Sequence, residues 1–159
     1  MTGGWSGDVI STVEKVLFLK SIDLFSQIPG EDLAQIAQIT DEVHFEEGDV
    51  LFHEGDPGDT LYFVIEGQVK VSKGGREVAR LGERQVFGEM AILDSEPRSA
   101  SILSLSRLTL LRIARDDFNE ILAEKAEIAQ GVIKVLTRRL RDMLSQQDAA
   151  SAAAEPADS

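Results

Sequence analysis

Cysteine is absent from the 159 residues, which removes a disulfide framework, thiol nucleophiles and any Cys-based zinc site. That suits the cytoplasm, or the cytoplasmic domain of a larger protein. Histidine is nearly as scarce, with only His44 and His53, too few for a close His pair joined by a carboxylate and a further His in a metal site. Basic residues are outnumbered, 16 Lys and Arg against 28 Asp and Glu, for a formal net charge of −12 and a pI near 4.5. Such a balance opposes nonspecific attraction to nucleic acid or anionic membranes, so direct DNA binding by this chain is not expected. Apolar runs such as Val16 to Leu19 fall far short of the roughly 20 residues of a membrane-spanning helix, and the N-terminus has no basic segment leading into an apolar one. Membrane insertion is not expected either.

What remains suits one domain with an ordinary core. Residues 1–10 read as a flexible leader in which Trp5 is incidental, and 148–159, DAASAAAEPADS, reads as a disordered tail without large apolar residues. Between them, Ser11 and Glu14 have capping-box spacing, and Val13, Val16 and Leu17 follow at helical spacing, predicting a helix from Thr12 to Lys20. Pro29, Gly30 and Glu31 open a second short helix in which Leu33, Ile36 and Ala37 share a face.

From Glu42 the apolar period falls to about two. Val43 and Phe45, Val50 and Phe52, Leu61, Phe63 and Ile65, and Val69 and Val71 alternate, separated by glycine-containing turns. Glu77 to Leu81, Ser101 to Ser104 and Thr109 to Ile113 add further strands. Many short strands at this spacing predict a mainly β fold with flanking helices, an antiparallel β-roll or double-stranded jelly roll over about 42–114. Asp116 to Ala123 reads as a helix, and Ala126 to about Gln146 as a longer one with an apolar stripe. Gly131 lies inside it, as a flexible point or a place of close packing.

One segment is too densely punctuated for a simple strand connection: FGEMAILDSEPRSASI, from Phe87 to Ile102. Gly88 permits close backbone approach to a ligand, and the helix-compatible Glu89, Met90, Ala91 and Ile92 would turn the free N–H groups of a first helical turn toward an anion. Arg98, beside Ser99 and Ala100, adds a planar cation and a hydroxyl. Glu89 would repel an anion and is better matched to sugar hydroxyls. Together these groups ask for a sugar phosphate, and exposed acidic charges more than about 8 Å away are screened enough not to forbid it.

Phe87-Gly88-Glu89-Met90-Ala91, then five residues, then Pro97-Arg98-Ser99-Ala100, resembles the phosphate-binding cassette of cyclic nucleotide-binding domains in catabolite-activator-type regulators, protein kinase A regulatory subunits and nucleotide-gated channels. The resemblance extends from about Ile22 to about Ser145. It implies that Glu89 takes the ribose 2′-hydroxyl, that Arg98 pairs with the cyclic phosphate, and that Ser99 adds a hydroxyl and favours cAMP over cGMP. It also implies an N-terminal helical bundle against the β core, and a C-terminal helix whose Met143 and Leu144 form a candidate apolar lid over the base. The polar adenine-binding pair of some bacterial regulators is not evident here.

The resulting expectation is a cyclic nucleotide-binding domain at 11–147, its C-terminal helices at about 115–147. It would act as a regulatory sensor that repositions its last helix to control a fused effector domain or an effector protein. It is not expected to be an enzyme, since Glu89 and Arg98 without a nucleophile or metal do not make a phosphodiesterase, and no cofactor is implied. Too few residues follow the last helix for a helix-turn-helix. The basic run Lys134, Arg138, Arg139 and Arg141 reads as a solvated helix face. The alternative is a nucleotide-independent interaction module of the same fold, a homodimer joined through the C-terminal helix.

Overall fold

The computed structural model describes residues 5–6, 10–88 and 96–154. Within them the chain forms an antiparallel two-sheet β-roll with helices from both ends gathered on one sheet. The strands are β1 (Trp5–Ser6), β2 (Thr40–Phe45), β3 (Val50–Phe52), β4 (Thr60–Glu66), β5 (Val69–Lys73), β6 (Arg76–Leu81), β7 (Val86–Phe87), β8 (Ser101–Ser104) and β9 (Leu108–Ala114). One sheet runs β1-β2-β9-β4-β7 and the other β3-β8-β5-β6. The helices are α1 (Thr12–Lys20), α2 (Gly30–Gln38), α3 (Arg115–Glu124) and α4 (Ala126–Ala154), with a 3₁₀ turn at Asp23–Phe25.

Strands β4 and β9 explain the architecture, because both bury both faces. Leu61, Phe63, Leu111 and Ile113 face the helices and join Leu19, Phe25, Leu33, Phe118 and Ile128 in one cluster. The intervening Val64, Leu108 and Leu110 face inward, with Val69, Phe87 and Ile102 of the β-roll. The period of two thus sends successive apolar residues into two different cores. Phe63 is fully buried, its ring centroid 5.4 Å from that of Phe25.

The expected cap is present: the Ser11 hydroxyl accepts from the Glu14 amide, and the Glu14 carboxylate accepts from the Ser11 amide. The face that α1 buries differs from expectation. Val13 and Leu17 are 69% and 66% exposed, whereas Lys15 and Leu19 are buried. Lys15 lies its aliphatic stem inward and donates from Nζ to the Thr40 carbonyl at 3.2 Å, so a long cation takes a position that a purely apolar count gives to valine.

Both chain ends carry more regular structure than the sequence suggests. Within the leader, Trp5 and Ser6 pair with His44 and Val43. Helix α4 continues to Ala154 rather than ending near Gln146, because the alanines of the supposed tail are the best helix formers and prolong a helix already nucleated. Gly131 is a point of close packing: a Cβ there would lie 2.9 Å from Ile28 Cγ1 and 3.0 Å from the Gln27 carbonyl oxygen.

Candidate functional site

A cleft of about 160 Å³ is bounded by β7 and by all four strands of the β3-β8-β5-β6 sheet. Phe52 of β3, Val71 of β5, Leu81 of β6 and Val86 and Phe87 of β7 supply apolar walls, and Gly88 and Pro97 to Ala100 supply the rim.

Arg98 dominates it. The residue is only 6% exposed, unusual for an arginine with no carboxylate on its guanidinium among the described residues. Its backbone is fixed by pairing with the turn before β4: the Arg98 amide donates to the Asp56 carbonyl at 2.8 Å, and the Gly55 amide donates to the Arg98 carbonyl at 2.8 Å. That turn is itself tied down by the Asp56 carboxylate, which accepts from the His53 amide at 2.9 Å. The guanidinium then donates from Nη1 to the Thr60 carbonyl at 2.9 Å. Its Cζ lies 4.0 Å from the centre of the Phe52 ring. Nε is buried with no hydrogen-bond partner among the described residues.

These distances depend on two glycines. A Cβ on Gly58 would lie 2.1 Å from Arg98 Nε, and one on Gly88 would lie 2.7 Å from Nη1 and 2.6 Å from the Thr60 carbonyl oxygen. Gly88 also has φ +86°, in the left-handed region that side chains resist. The sequence reading of Gly55 to Gly58 as a strand-connecting turn is therefore incomplete, since the same turn makes room for the arginine.

Burial lowers the Arg98 pKa from its ordinary value, opposed by the nearby Tyr62, Asp59 and Asp56. Desolvation likewise raises Tyr62 above its ordinary 10.0, and the Arg98 charge partly offsets this. The cleft thus carries a buried cation, one of whose donors, Nε, has no partner among the described residues. Its chemistry suits an anion carried on a flat, largely apolar body.

Of the residues expected to form the site, Phe87, Gly88, Arg98, Ser99 and Ala100 are brought together in the cleft lining. Ser99 is exposed on the rim, while Phe87 and Ala100 are buried. Glu89, Met90 and Ala91 lie outside the described residues. Met143 and Leu144 are 66% and 51% exposed on α4 and are not part of the cleft lining. Sequence reasoning missed Phe52, Gly58, Thr60 and Tyr62; the glycine-rich turn at 55–58 was the available signal, but its partner lies some forty residues away.

The family model described as the cyclic nucleotide-binding domain matches residues 42–125, and the chain belongs to that family. A CRP-like cAMP-activated global transcriptional regulator of Mycobacterium tuberculosis is 32% identical over 123 residues, covering 74% of this chain and 55% of the relative. Among solved structures, the N-terminal domain of a transcriptional regulator from Streptomyces coelicolor A3(2) matches with a TM-score of 0.73 at 36% identity, over 82% of this chain and 94% of that one. The regulatory domain of Toxoplasma gondii PKA, solved with cAMP, matches with a TM-score of 0.66 at 33% identity, over 72% of this chain and 46% of that one. The chain therefore spans about half of the curated relative. The family is a regulatory binding domain rather than a catalytic one. No helix among the described residues is long and apolar enough to cross a membrane.

Proposed function

We propose that residues 11–147 bind a cyclic nucleotide, cAMP in preference to cGMP, and convert its presence into a movement of the C-terminal helix that controls a fused or separate effector. The observation that carries the reading is Arg98: a buried cation held by the Thr60 carbonyl and the Phe52 ring, with Nε lacking a partner among the described residues, in a cleft with apolar walls. An equatorial phosphate oxygen would fill that deficit, Ser99 would add a hydroxyl, Glu89 would take the ribose hydroxyl, and the amides from Glu89 to Ala91 would complete the phosphate cradle.

The position of α4 supports its role as the moving part. Gly131 is pressed against Gln27 and Ile28. About two helical turns further on, Arg138 and Arg139 both pair with Asp23 of the 3₁₀ turn, Arg139 Nη2 at 3.0 Å. With α4 docked in this way, Met143 and Leu144 are exposed and stand outside the cleft lining. All three charged groups are more than a third exposed, so the contacts contribute on the order of 1 kcal/mol after screening. A tenfold population shift needs about 1.4 kcal/mol of differential affinity, so ligand contacts with Met143 and Leu144 in a closed state suffice to move the helix.

Calorimetric titration with cAMP and cGMP in parallel, on protein checked for copurified nucleotide, tests this reading. Saturable cAMP binding, weaker for cGMP and lost in Arg98→Ala, is expected. No heat with either nucleotide from folded, nucleotide-free protein sinks it. That result would favour the second reading, a nucleotide-independent dimerisation module, which rests on the exposed Ile133, Leu136, Leu140, Met143 and Leu144 of α4. Hydrogen exchange along Ala126 to Gln146 that is identical with and without ligand would remove the helix movement from the proposal.

A further inference from the structure

The structure assigns Phe52 as the residue that positions the phosphate anchor, by presenting its ring face to the Arg98 guanidinium. This inference rests on the cyclic nucleotide reading of the same site and specifies how that site is made ready before ligand arrives. Arg98 Cζ stands 4.0 Å from the Phe52 ring centre, against 6.0 Å from that of Tyr62, so the close face contact belongs to Phe52. A guanidinium within about 6 Å of a ring centre is attracted by the ring quadrupole, more strongly once water is excluded.

Phe52 is delivered to that place by an irregularity in β3. Val50 pairs with Leu103 and Phe52 with Ile102, so the register shifts between them. A shift of this kind re-aims a side chain relative to a regular strand. The ring is then braced by Tyr62 and Phe87, at centroid distances of 6.2 Å and 6.1 Å, and those two stack on each other at 5.1 Å and 17°. An aromatic cluster in the wall of the cleft thus backs the ring that lies 4.0 Å from the buried guanidinium.

The arrangement divides the work on Arg98. Phe52 covers a flat face, and the Thr60 carbonyl occupies Nη1. Nε, buried beside Gly58, has no partner among the described residues, and a phosphate oxygen taken there would lie in the guanidinium plane, where charge-assisted hydrogen bonds are strongest. Without the ring the guanidinium loses its registration against the Thr60 carbonyl and must be ordered at the moment of binding, which weakens affinity.

The test compares Phe52→Leu with Phe52→Tyr in calorimetric titrations with cAMP, alongside the ¹H–¹⁵N resonance of Arg98 Nε–H in the nucleotide-free protein. Phe52→Leu should weaken cAMP binding about tenfold and move the Arg98 resonance out of the ring-current field, while Phe52→Tyr stays within about twofold and keeps the resonance in place. Wild-type affinity in Phe52→Leu, or an equal loss in both variants, overturns the inference. If the wild-type protein binds no cyclic nucleotide, the ligand reading falls and the resonance decides alone: a shift in Phe52→Leu but not in Phe52→Tyr upholds the platform, and no shift refutes it.

Discussion

Gly58→Ala separates stability from binding. A Cβ at this position would sit 2.1 Å from Arg98 Nε, 2.5 Å from Cζ and 2.7 Å from Cδ. Ordinary van der Waals contact begins at 3.4 Å, so the side chain must retreat by at least about 1.3 Å. A displacement of that size stretches the 2.9 Å bond from Nη1 to the Thr60 carbonyl beyond hydrogen-bonding range. Gly58 does not have positive φ, so alanine is tolerated by the backbone. The loss of unfolded-state freedom should even favour folding by about 0.4 to 1 kcal/mol, offsetting the cost of moving one side chain. Binding has no such compensation, because misplacing one partner of a desolvated charge pair costs on the order of 2 to 5 kcal/mol. The expected outcome is a melting temperature within a few degrees of wild type and cAMP affinity at least about thirtyfold weaker in calorimetry. Wild-type affinity together with wild-type stability would refute the assignment of this Arg98 geometry to the binding-competent site.

Other consequences follow from the same contacts. Tyr62 is the sole tyrosine, so absorbance at 295 nm reads it alone; burial first, and Asp59 to a lesser degree, should hold its titration above 10.0. Because the folded value is raised, its contribution to stability is complete below pH 10 and lost as pH rises through the folded pKa, and Tyr62→Phe should remove that alkaline loss. Neutralising Arg98 with a phosphodiester takes away a charge that lowers the Tyr62 pKa, so saturating cAMP should move the titration higher still; a downward move contradicts the charge pairing. Asp23→Ala releases Arg138 and Arg139 and should tighten cAMP binding up to about tenfold while speeding hydrogen exchange in α4; weaker binding would mean that the docked helix is the ligand-bound state. Phe63→Ala, which empties the helix-facing core at a fully buried ring, should cost about 3 to 5 kcal/mol in denaturant unfolding.

The parts legible in the sequence were those governed by local rules. Ser11 and Glu14 announce their cap, the alternation through Leu61 and Phe63 announces a strand, and Phe87, Gly88 and Pro97 to Ala100 of the cassette line a cleft. What escaped was set by tertiary partners. Lys15 is buried because the Thr40 carbonyl happens to lie within reach of its ammonium, and Val13 and Leu17 are turned outward by the same rotation of α1. Phe52 looks like any alternating strand residue, since its role depends on a register shift against β8 and on an arginine from another loop. Gly58 resembles every other turn glycine until Arg98 is laid across it. Gly131 left two readings open, and close approach to Gln27 selects packing over flexibility.

Arg98, whose Nε has no partner among the described residues, is the proposed anchor for the phosphate of a cyclic nucleotide. The most direct test of that role is a crystal structure of the protein with cAMP. The account predicts a phosphate oxygen at roughly 2.7 to 2.9 Å from Nε, with the Thr60 carbonyl still on Nη1 and the Phe52 ring still against the guanidinium. A phosphate seated elsewhere in the cleft, with Arg98 Nε still lacking a partner, would contradict it.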